Sequence, residues 1–451
     1  MTNEKNYLTE GKISTALIKF AIPFLVASLL QALYGAVDLF VVGQFDTSAS
    51  VSAVAVGSQV MQTITGIVLG LTTGGTVLIG RRIGEKDDNG AAKAVGSIGI
   101  LFIVLAVILT PVMFFCTDFA VNAMNTPSEA IEYTKNYLYV CVCGIPFIVG
   151  YNAISGILRG MGNTKTPMYF IIAACIVNVA LDFLFVGRFH MGAFGAAVAT
   201  VAAQAVSFIF ALIVILKRGF PFEFHKKDFK CNKNSLKFIL KVGSPLALQD
   251  ALVNVSFLII TAIINSMGLT ASASVGVVEK IIVFAMLVPT AFASAVATAT
   301  SQNIGAGKPE RAEKSLVYGI LYSLVFGVAF CIYAWIFPQT LTGIFSTDSA
   351  VIKMAADYLK PYSFDCIFVS FIFCMNSYFS GCGKSVISFV HSMIATFGVR
   401  VTGSYILSLM EGTTLFTLGF VPPVASVVSV LICLGYFFFI TKKRKRLQSD
   451  R

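Results

Sequence analysis

The sequence predicts an all-α polytopic membrane protein, with twelve transmembrane helices in two pseudo-symmetric six-helix lobes around a central cavity. Three observations predict this class: an apolar composition, a regular series of long apolar segments, and a repeat of the first half in the second. Of the 451 residues, 57% are hydrophobic and only 12% are charged, whereas soluble domains carry about 25% charged residues. The mean hydropathy is +0.83. This composition excludes a soluble enzyme, a disordered scaffold and a secreted disulfide protein.

Twelve apolar segments are long enough to cross a bilayer, which takes about 20 residues of helix. They lie at residues 16–42, 51–80, 94–116, 134–157, 168–187, 193–216, 237–266, 272–301, 315–337, 354–379, 386–408 and 416–441. The first segment is too long for a signal peptide and lacks a small-residue cleavage site, so we expect it to remain as the first span.

The basic residues predict the orientation of the spans. The loops on one side, with the adjoining helix ends, contain 27 of the 33 Lys and Arg residues, whereas the opposite side contains only Lys135, Arg188 and Lys353. Cytoplasmic loops of membrane proteins collect Lys and Arg, so both termini are predicted to be cytoplasmic. The net charge of +11 is therefore explained by topology, and no nucleic-acid partner is expected.

The second half of the chain resembles the first at a nearly constant offset. Pro23 matches Pro245 at an offset of 222 residues, and Tyr137 matches Tyr358 at an offset of 221. Other matches at these offsets, in equivalent loops, pair Ile83, Gly84, Ala91, Lys93, Gly160 and Gly162 with Ile304, Gly305, Ala312, Lys314, Gly381 and Gly383. Each repeat holds six spans, an even number, so both enter the membrane in the same direction and an axis along the membrane normal should relate them.

This repeat predicts the domain organisation. We expect an N-terminal lobe at 1–216, a cytoplasmic linker at 217–236, a C-terminal lobe at 237–441 and a basic cytoplasmic tail at 442–451. Two lobes around a central cavity suit a carrier that works by alternating access.

Acidic residues inside the first lobe are the main candidates for function. An ionised Asp near the bilayer centre costs at least about 2.5–3.5 kcal/mol, so it needs a partner or a purpose. Asp38 lies one turn after Tyr34 in the first span, and Asp182 one turn after Asn178 in the fifth, so each pair shares a helix face. The predicted topology places both acids, and Thr200 of the sixth span, at a similar level in the outer half of the lobe.

Two ligands suit this group of side chains. Two nearby carboxylates cannot both ionise cheaply in a medium of low dielectric constant, which favours capture of a proton. Their oxygens, with Asn178 and Thr200, could equally coordinate a small hard cation such as Na⁺. Alternatively, Asp38 and Asp182 only form hydrogen bonds with neighbouring helices or lie in the wet interface.

The second lobe contains acids and bases together. Within or beside its spans lie Asp250, Glu279, Lys280, Lys360, Asp365 and Arg400. Three acids with three bases suggest internally neutralised ion pairs that stabilise the lobe. The alternative is that Glu279 or Asp365 contacts a substrate.

Over essentially its full length the chain resembles the multidrug and toxic-compound extrusion (MATE) transporters. The stretches that carry the resemblance are 22–23 (Ile-Pro), 34–38 (Tyr-Gly-Ala-Val-Asp), 158–165 (Leu-Arg-Gly-Met-Gly-Asn-Thr-Lys), 178–182 (Asn-Val-Ala-Leu-Asp), the small-residue run 192–200 and 302–308 (Gln-Asn-Ile-Gly-Ala-Gly-Lys). No single stretch is decisive, but their order and spacing together make the resemblance specific.

The resemblance implies a prokaryotic twelve-helix exporter in the bacterial inner membrane that exchanges organic cations for inward H⁺ or Na⁺. It implies that the first-lobe site, comprising Asp38, Asn178, Asp182 and Thr200, binds the coupling cation. Neighbouring cavity or substrate candidates are Gln31, Tyr34 and Tyr137, with the deeper Asn152 as a looser match. Pro23 corresponds to a proline that the family is proposed to use as a hinge. Apolar Val253 and Val369 occupy positions where one subgroup has acids, so a second-lobe Na⁺ site is not implied.

Several other functions remain as alternatives or are disfavoured. A lipid-linked oligosaccharide or polysaccharide flippase could share the architecture, but its cavity should carry several cations for a pyrophosphate. An enzyme is not expected, because no clustered catalytic set lies within the spans, and an ion channel would need polar residues along a pore. No nucleotide site and no cofactor are predicted, so the energy source should be an ion gradient. We expect a monomer whose partners are small organic cations or drugs and the lipid bilayer.

Overall fold

A computed structural model describes residues 7–124 and 126–449 of the chain. The described residues form helices and their connections, with no β-strand among them. Lys5 and Arg451, which contributed to the topology argument, lie outside the described residues, as does the end of the predicted basic tail. The all-α prediction is confirmed.

Among the described residues, ten helical segments are long and apolar enough to cross a membrane by themselves. Two further spans are bent pairs of helices, which raise the number to the predicted twelve. Ser128–Cys143 and Ile145–Gly160 meet at 47°, and Ser349–Ser363 and Asp365–Gly381 meet at 46°. These pairs coincide with the predicted fourth and tenth spans, so the bends lie at the same place in the two sequence repeats.

The chain divides into two compact units. The first runs to Ala247 and also includes Ser301–Lys308, and the second comprises Leu248–Thr300 and the chain from Pro309 onwards. The helices that begin in the first unit are α1 (Ile13–Phe45), α2 (Ser48–Glu85), α3 (Asp88–Ala123), α4 (Ile131–Cys143), α5 (Ile145–Gly160), α6 (Lys165–Asp182), α7 (Gly192–Arg218) and α8 (Lys233–Asn265). A π-helical segment, Phe183–Arg188, continues α6.

Small residues allow the helices of the first unit to pack closely. A Cβ atom added at Gly57 on α2 would lie 2.3 Å from Cδ1 of Tyr137 on α4. A Cβ atom added at Gly156 on α5 would lie 2.4 Å from Cγ2 of Thr72 on α2. Small residues at helix contacts are typical of membrane bundles, where van der Waals packing drives helix association. The packing of α4 and α5 against α2 therefore depends on these glycines.

The segment predicted as a linker, 217–236, packs on the first unit. The backbone N–H of Asn232 donates to Oγ of Ser97 on α3 at 3.0 Å. A Cβ atom at Gly96 would lie 1.9 Å from the carbonyl oxygen of Asp228, so α3 and this segment are in direct contact. Phe220 stacks on Phe222, with ring centroids 5.4 Å apart. The polar composition predicted a free connection, but a few aromatic and small residues suffice to fix it.

Ser301–Lys308 belongs to the first unit although it lies in the second sequence repeat. The Gln302 side chain donates to the carbonyl oxygen of Gly160 at 2.8 Å, and Asn303 donates to that of Leu8 at 3.1 Å. Lys308 Nζ donates to the carbonyl oxygen of Thr9 at 3.1 Å. Three side chains thus hold this segment to backbone oxygens of the first unit.

The second unit has its own apolar core, formed by residues such as Ile260, Val278, Leu359 and Cys366. Its helices after α8 are α9 (Leu269–Ala285), α10 (Leu287–Gly305, which enters the first unit at Ser301), α11 (Pro309–Ile336), α12 (Pro338–Thr342), α13 (Ser349–Ser363), α14 (Asp365–Gly381), α15 (Ser385–Met393), α16 (Thr402–Ser408), α17 (Leu415–Leu418) and α18 (Val421–Ser449). A π-helical segment, Ile394–Val401, joins α15 to α16.

Candidate cation site

Three helices of the first unit bring the two predicted acids together. Asp38 lies on α1 and is 4% exposed, and Asp182 is the last residue of α6 and is fully buried. The two carboxyl groups are close enough to influence each other's charge. Thr200 on α7 donates from Oγ1 to Oδ2 of Asp38 at 3.1 Å. Asn178, one turn before Asp182, is also fully buried and faces Asp38.

Most polar atoms of this group have no hydrogen-bond partner. Among the described residues, no partner is found for Oδ1 of Asp38, for either carboxylate oxygen of Asp182, or for the side-chain oxygen and nitrogen of Asn178. Buried polar groups are nearly always hydrogen-bonded, so a cluster of five unpaired atoms requires an explanation. A ligand that accepts electron pairs from several oxygens would satisfy most of them.

No fixed positive charge neutralises the two acids. Among the ion pairs of the described residues, none within 4.0 Å includes Asp38 or Asp182. Two adjacent carboxylates in a medium of low dielectric constant cannot both remain charged without a counterion. The group is therefore suited to hold a proton, or a hard monovalent cation with carboxylate, amide and hydroxyl ligands.

The local helix geometry helps to place these side chains. Asp182 stands where α6 changes from α-helical to π-helical, and π-helical turns are frequent at functional sites. Thr200 lies in α7, whose first turns contain the buried small residues Gly192, Ala193, Ala196 and Ala197. These small residues let α7 approach α6 closely enough for Thr200 to reach Asp38.

The predicted aromatic neighbours lie beside this cluster. Tyr34 lies one turn before Asp38 and its hydroxyl interacts with the exposed Gln31. Tyr137 is 2% exposed, its hydroxyl lies 3.1 Å from Oγ of Ser58, and it interacts electrostatically with Asp38. These phenols extend the polar group from α1 towards α2 and α4.

Two residues of this group were not predicted. Gln204 donates from Nε2 to the Tyr34 hydroxyl at 3.1 Å, and Ser58 pairs with Tyr137. Gln204 follows Thr200 by four residues on α7, so the i, i+4 spacing could have indicated it. No pattern in the sequence distinguishes Ser58 from the other hydroxyl residues of α2.

Asn152 does not join the cluster through a hydrogen bond in the described part of the chain. It is 7% exposed, and its side-chain nitrogen donates to the carbonyl oxygen of Ile148 on the same helix at 2.8 Å. Pro23 is buried inside α1, where it cannot donate a hydrogen bond to the carbonyl oxygen of Lys19. The absent hydrogen bond weakens α1 four turns before Asp38.

The interpretation of the second-lobe charges as ion pairs is wrong. Within the described residues, the ion pair found for this set joins Lys360 to Asp357, at 3.8 Å. Asp250 and Lys280 are exposed, and exposed charges are solvated without a partner. Glu279 and Asp365, the two candidate substrate contacts, belong to the second unit and take no part in the Asp38 cluster.

The family model MatE matches this chain twice, at residues 23–184 and 245–406. The two matches begin 222 residues apart, which is the offset between Pro23 and Pro245. Together they cover more than half of the chain, and the double match corresponds to the internal repeat.

Curated relatives match over most of their length. The probable multidrug resistance protein YoeA of Bacillus subtilis (strain 168) is 26% identical over 433 residues, which are 94% of each chain. The multidrug export protein MepA of Staphylococcus haemolyticus (strain JCSC1435) is 24% identical over 358 residues, which are 78% of each chain.

Solved structures share the fold. A crystal structure of MATE in complex with MaL6 matches with a TM-score of 0.91 and 24% identity, over 98% of this chain and 100% of that one. A multidrug resistance MATE family transporter in an outward-facing conformation matches with a TM-score of 0.90 and 25% identity, over the same shares.

Proposed function

Because this chain belongs to the MatE family, whose members are membrane transporters and not enzymes, we propose that it is a multidrug efflux carrier. It exports organic, often cationic and amphipathic compounds across the bacterial inner membrane in exchange for H⁺ or Na⁺. The names of the relatives YoeA and MepA support drug export as the direction and class of transport.

One observation supports a coupling role for the first unit. Asp38 and Asp182 are buried together with unpaired oxygens and without a basic partner. A charged pair of this kind is costly, and a bound proton or Na⁺ removes the cost. We therefore assign the coupling-cation site to Asp38, Asn178, Asp182 and Thr200.

Exchange follows if the cation and the drug favour different conformations. A ligand shifts a conformational equilibrium only through its different affinities for the two states. Neutralising the two acids removes the attraction that the cluster exerts on an organic cation and favours release of the drug. Gln31, Tyr34 and Tyr137 border the cluster and are proposed to sense this change, and Pro23 is the proposed hinge that lets α1 bend.

The decisive experiment is efflux of a fluorescent organic cation from proteoliposomes under separately imposed pH and Na⁺ gradients. The wild-type protein should accelerate efflux under one of the two gradients. Asp38→Asn should reduce gradient-driven efflux at least about tenfold, because a tenfold loss corresponds to only about 1.4 kcal/mol of cation binding. Asp182→Asn should have a similar effect.

A matched control is Asp118→Asn, which removes an acid that is 61% exposed and pairs with Lys135 at 2.7 Å. This variant should transport at the wild-type rate. Ion-driven efflux that survives in Asp38→Asn would refute the coupling assignment. Movement of a lipid-linked sugar, without response to organic cations, would instead support a flippase.

A further inference from the structure

The second unit contains a buried guanidinium that the proposed coupling site does not use. Arg400 lies in the π-helical segment Ile394–Val401. Its Nη2 donates to the hydroxyl of Tyr362 at 2.8 Å, and the guanidinium lies 4.4 Å from the ring centroid of Phe257. Its Nε is buried and has no hydrogen-bond partner among the described residues.

Two acids surround this guanidinium at a distance. Asp365 is 5% exposed and accepts a hydrogen bond from Ser426 at 2.5 Å, and Glu279 is half-buried. Both interact electrostatically with Arg400, yet neither forms an ion pair with it within 4.0 Å in the described residues. The guanidinium thus neutralises the region without closing a direct salt bridge.

The internal repeat gives this arginine its meaning. At the offset of 222 residues, 177–179 (Val-Asn-Val) correspond to 399–401 (Val-Arg-Val). The two matches to the family model begin and end at the same offset. Arg400 therefore occupies in the second repeat the position of Asn178, a side chain of the proposed coupling site in the first.

The two acids of the first unit have no acidic counterpart at this offset. Asp38 corresponds to Ile260, which is 5% exposed within the apolar core, and Asp182 corresponds to Ser404, which is also 5% exposed. The second repeat has therefore lost two anions and gained one cation at the equivalent place.

The acids of the second unit come from other positions of the repeat. Glu279 corresponds at an offset of 221 to Ser58, and it interacts with Tyr358 as Ser58 does with Tyr137. The acids of the second unit therefore surround a cation that is part of the chain, whereas those of the first have none.

Building on the proposed function, we propose that Arg400 is a tethered cation that permanently fills the second unit's cation site. A guanidinium remains charged at all physiological pH values. It satisfies Glu279 and Asp365 electrostatically in every step of the cycle and excludes a mobile cation. Only the Asp38 cluster then exchanges its cation, so one coupling site operates per chain although the fold repeats twice.

A purely structural role for Arg400 is the competing explanation. The hydrogen bond to Tyr362 and the contact with Phe257 would then stabilise the unit, and Arg400→Gln would lower the Tm by the same amount under all ionic conditions. A tethered cation makes a different prediction. Its removal should create a new response to cations.

The test uses the purified full-length protein carrying Asp38→Asn and Asp182→Asn, so that the first unit no longer contributes. Tm is measured with increasing NaCl, balanced by choline chloride at constant ionic strength, and separately between pH 5.5 and 8. The titratable groups that face Arg400 are Glu279, Tyr358, Tyr362 and Asp365. This background should show no response that depends on Glu279 or Asp365.

Adding Arg400→Gln should make Tm rise with Na⁺ or with falling pH, by about 2 °C or more at saturation. Glu279→Gln with Asp365→Asn should abolish this response, and Arg400→Lys should not produce it. A response that depends on these acids while Arg400 is present would overturn the proposal. So would the absence of any new response after Arg400→Gln.

A second measurement covers the case in which the combined variants do not fold. Equilibrium binding of radioactive Na⁺, or proton uptake per protein, is counted for the wild type and for Arg400→Gln alone. One cation should become two, and an unchanged count would refute the proposal. Because neither measurement requires transport, a failure here is distinguishable from a failure of the efflux assignment.

Discussion

The hydroxyl of Thr200 is the direct hydrogen-bond donor to Asp38 in the first unit. Hydrogen bonds to charged groups contribute about 1.5–3 kcal/mol. In the proposed site this hydroxyl orients the carboxylate and its oxygen adds a ligand for a cation. Its removal should affect cation affinity more than folding.

Thr200→Val should therefore raise the cation concentration for half-maximal efflux by about tenfold or more, as expected for a loss of about 1.5 kcal/mol. The measurement is the rate of drug efflux as a function of imposed Na⁺ or H⁺ concentration. Thr200→Ser keeps the hydroxyl and should behave as wild type. An unchanged concentration dependence in Thr200→Val would remove this residue from the site.

At the scale of elements, the glycines of α2 decide where α4 and its phenol lie. The place for a Cβ atom at Gly57 is occupied by the ring of Tyr137. Because helix packing in membranes depends on close fit, a single methyl group there has to displace the ring or the helix.

Gly57→Ala should lower the free energy of unfolding by about 1–3 kcal/mol, the usual cost of overpacking. It should also slow efflux, because Tyr137 borders the Asp38 cluster. The measurement is Tm of the purified protein together with efflux. Gly276→Ala on α9 is the matched control, since no atom lies within 4 Å of its Cβ position. If both variants had equal Tm values, the packing argument would be wrong.

At the scale of the whole molecule, the distribution of basic residues predicts which loops face the cytoplasm. Cys231 is an exposed cysteine in the connection before α8, and this connection should be cytoplasmic. Thr347, exposed in the loop before α13, should lie on the opposite side.

A variant that retains Cys231 as its sole cysteine should react with a membrane-impermeant maleimide only in inside-out vesicles. A second variant with Thr347→Cys as its sole cysteine should react only in right-side-out vesicles. Labelling intensity on gels distinguishes the two orientations. The reverse pattern would invert the predicted topology and place both termini outside.

The fold was largely predictable from the sequence because the bilayer allows few solutions. Every backbone group within the hydrocarbon must be hydrogen-bonded inside the protein, so long apolar segments become helices. The helical periodicity likewise paired Tyr34 with Asp38 and Asn178 with Asp182 before their neighbours were known. The bends at the fourth and tenth spans were not predicted, although Pro146 and Pro361 lie beside them.

The sequence by itself determined the class of the protein, its helical spans and its repeat, because each depends on local hydropathy or on matching residues along the chain. Only the tertiary structure decided which charges meet. It joined Thr200 to Asp38, added Gln204 and Ser58, and replaced the expected second-lobe ion pairs with a guanidinium on Tyr362 and Phe257. Contacts between helices far apart in sequence depend on side-chain volumes and helix angles, which no local pattern encodes.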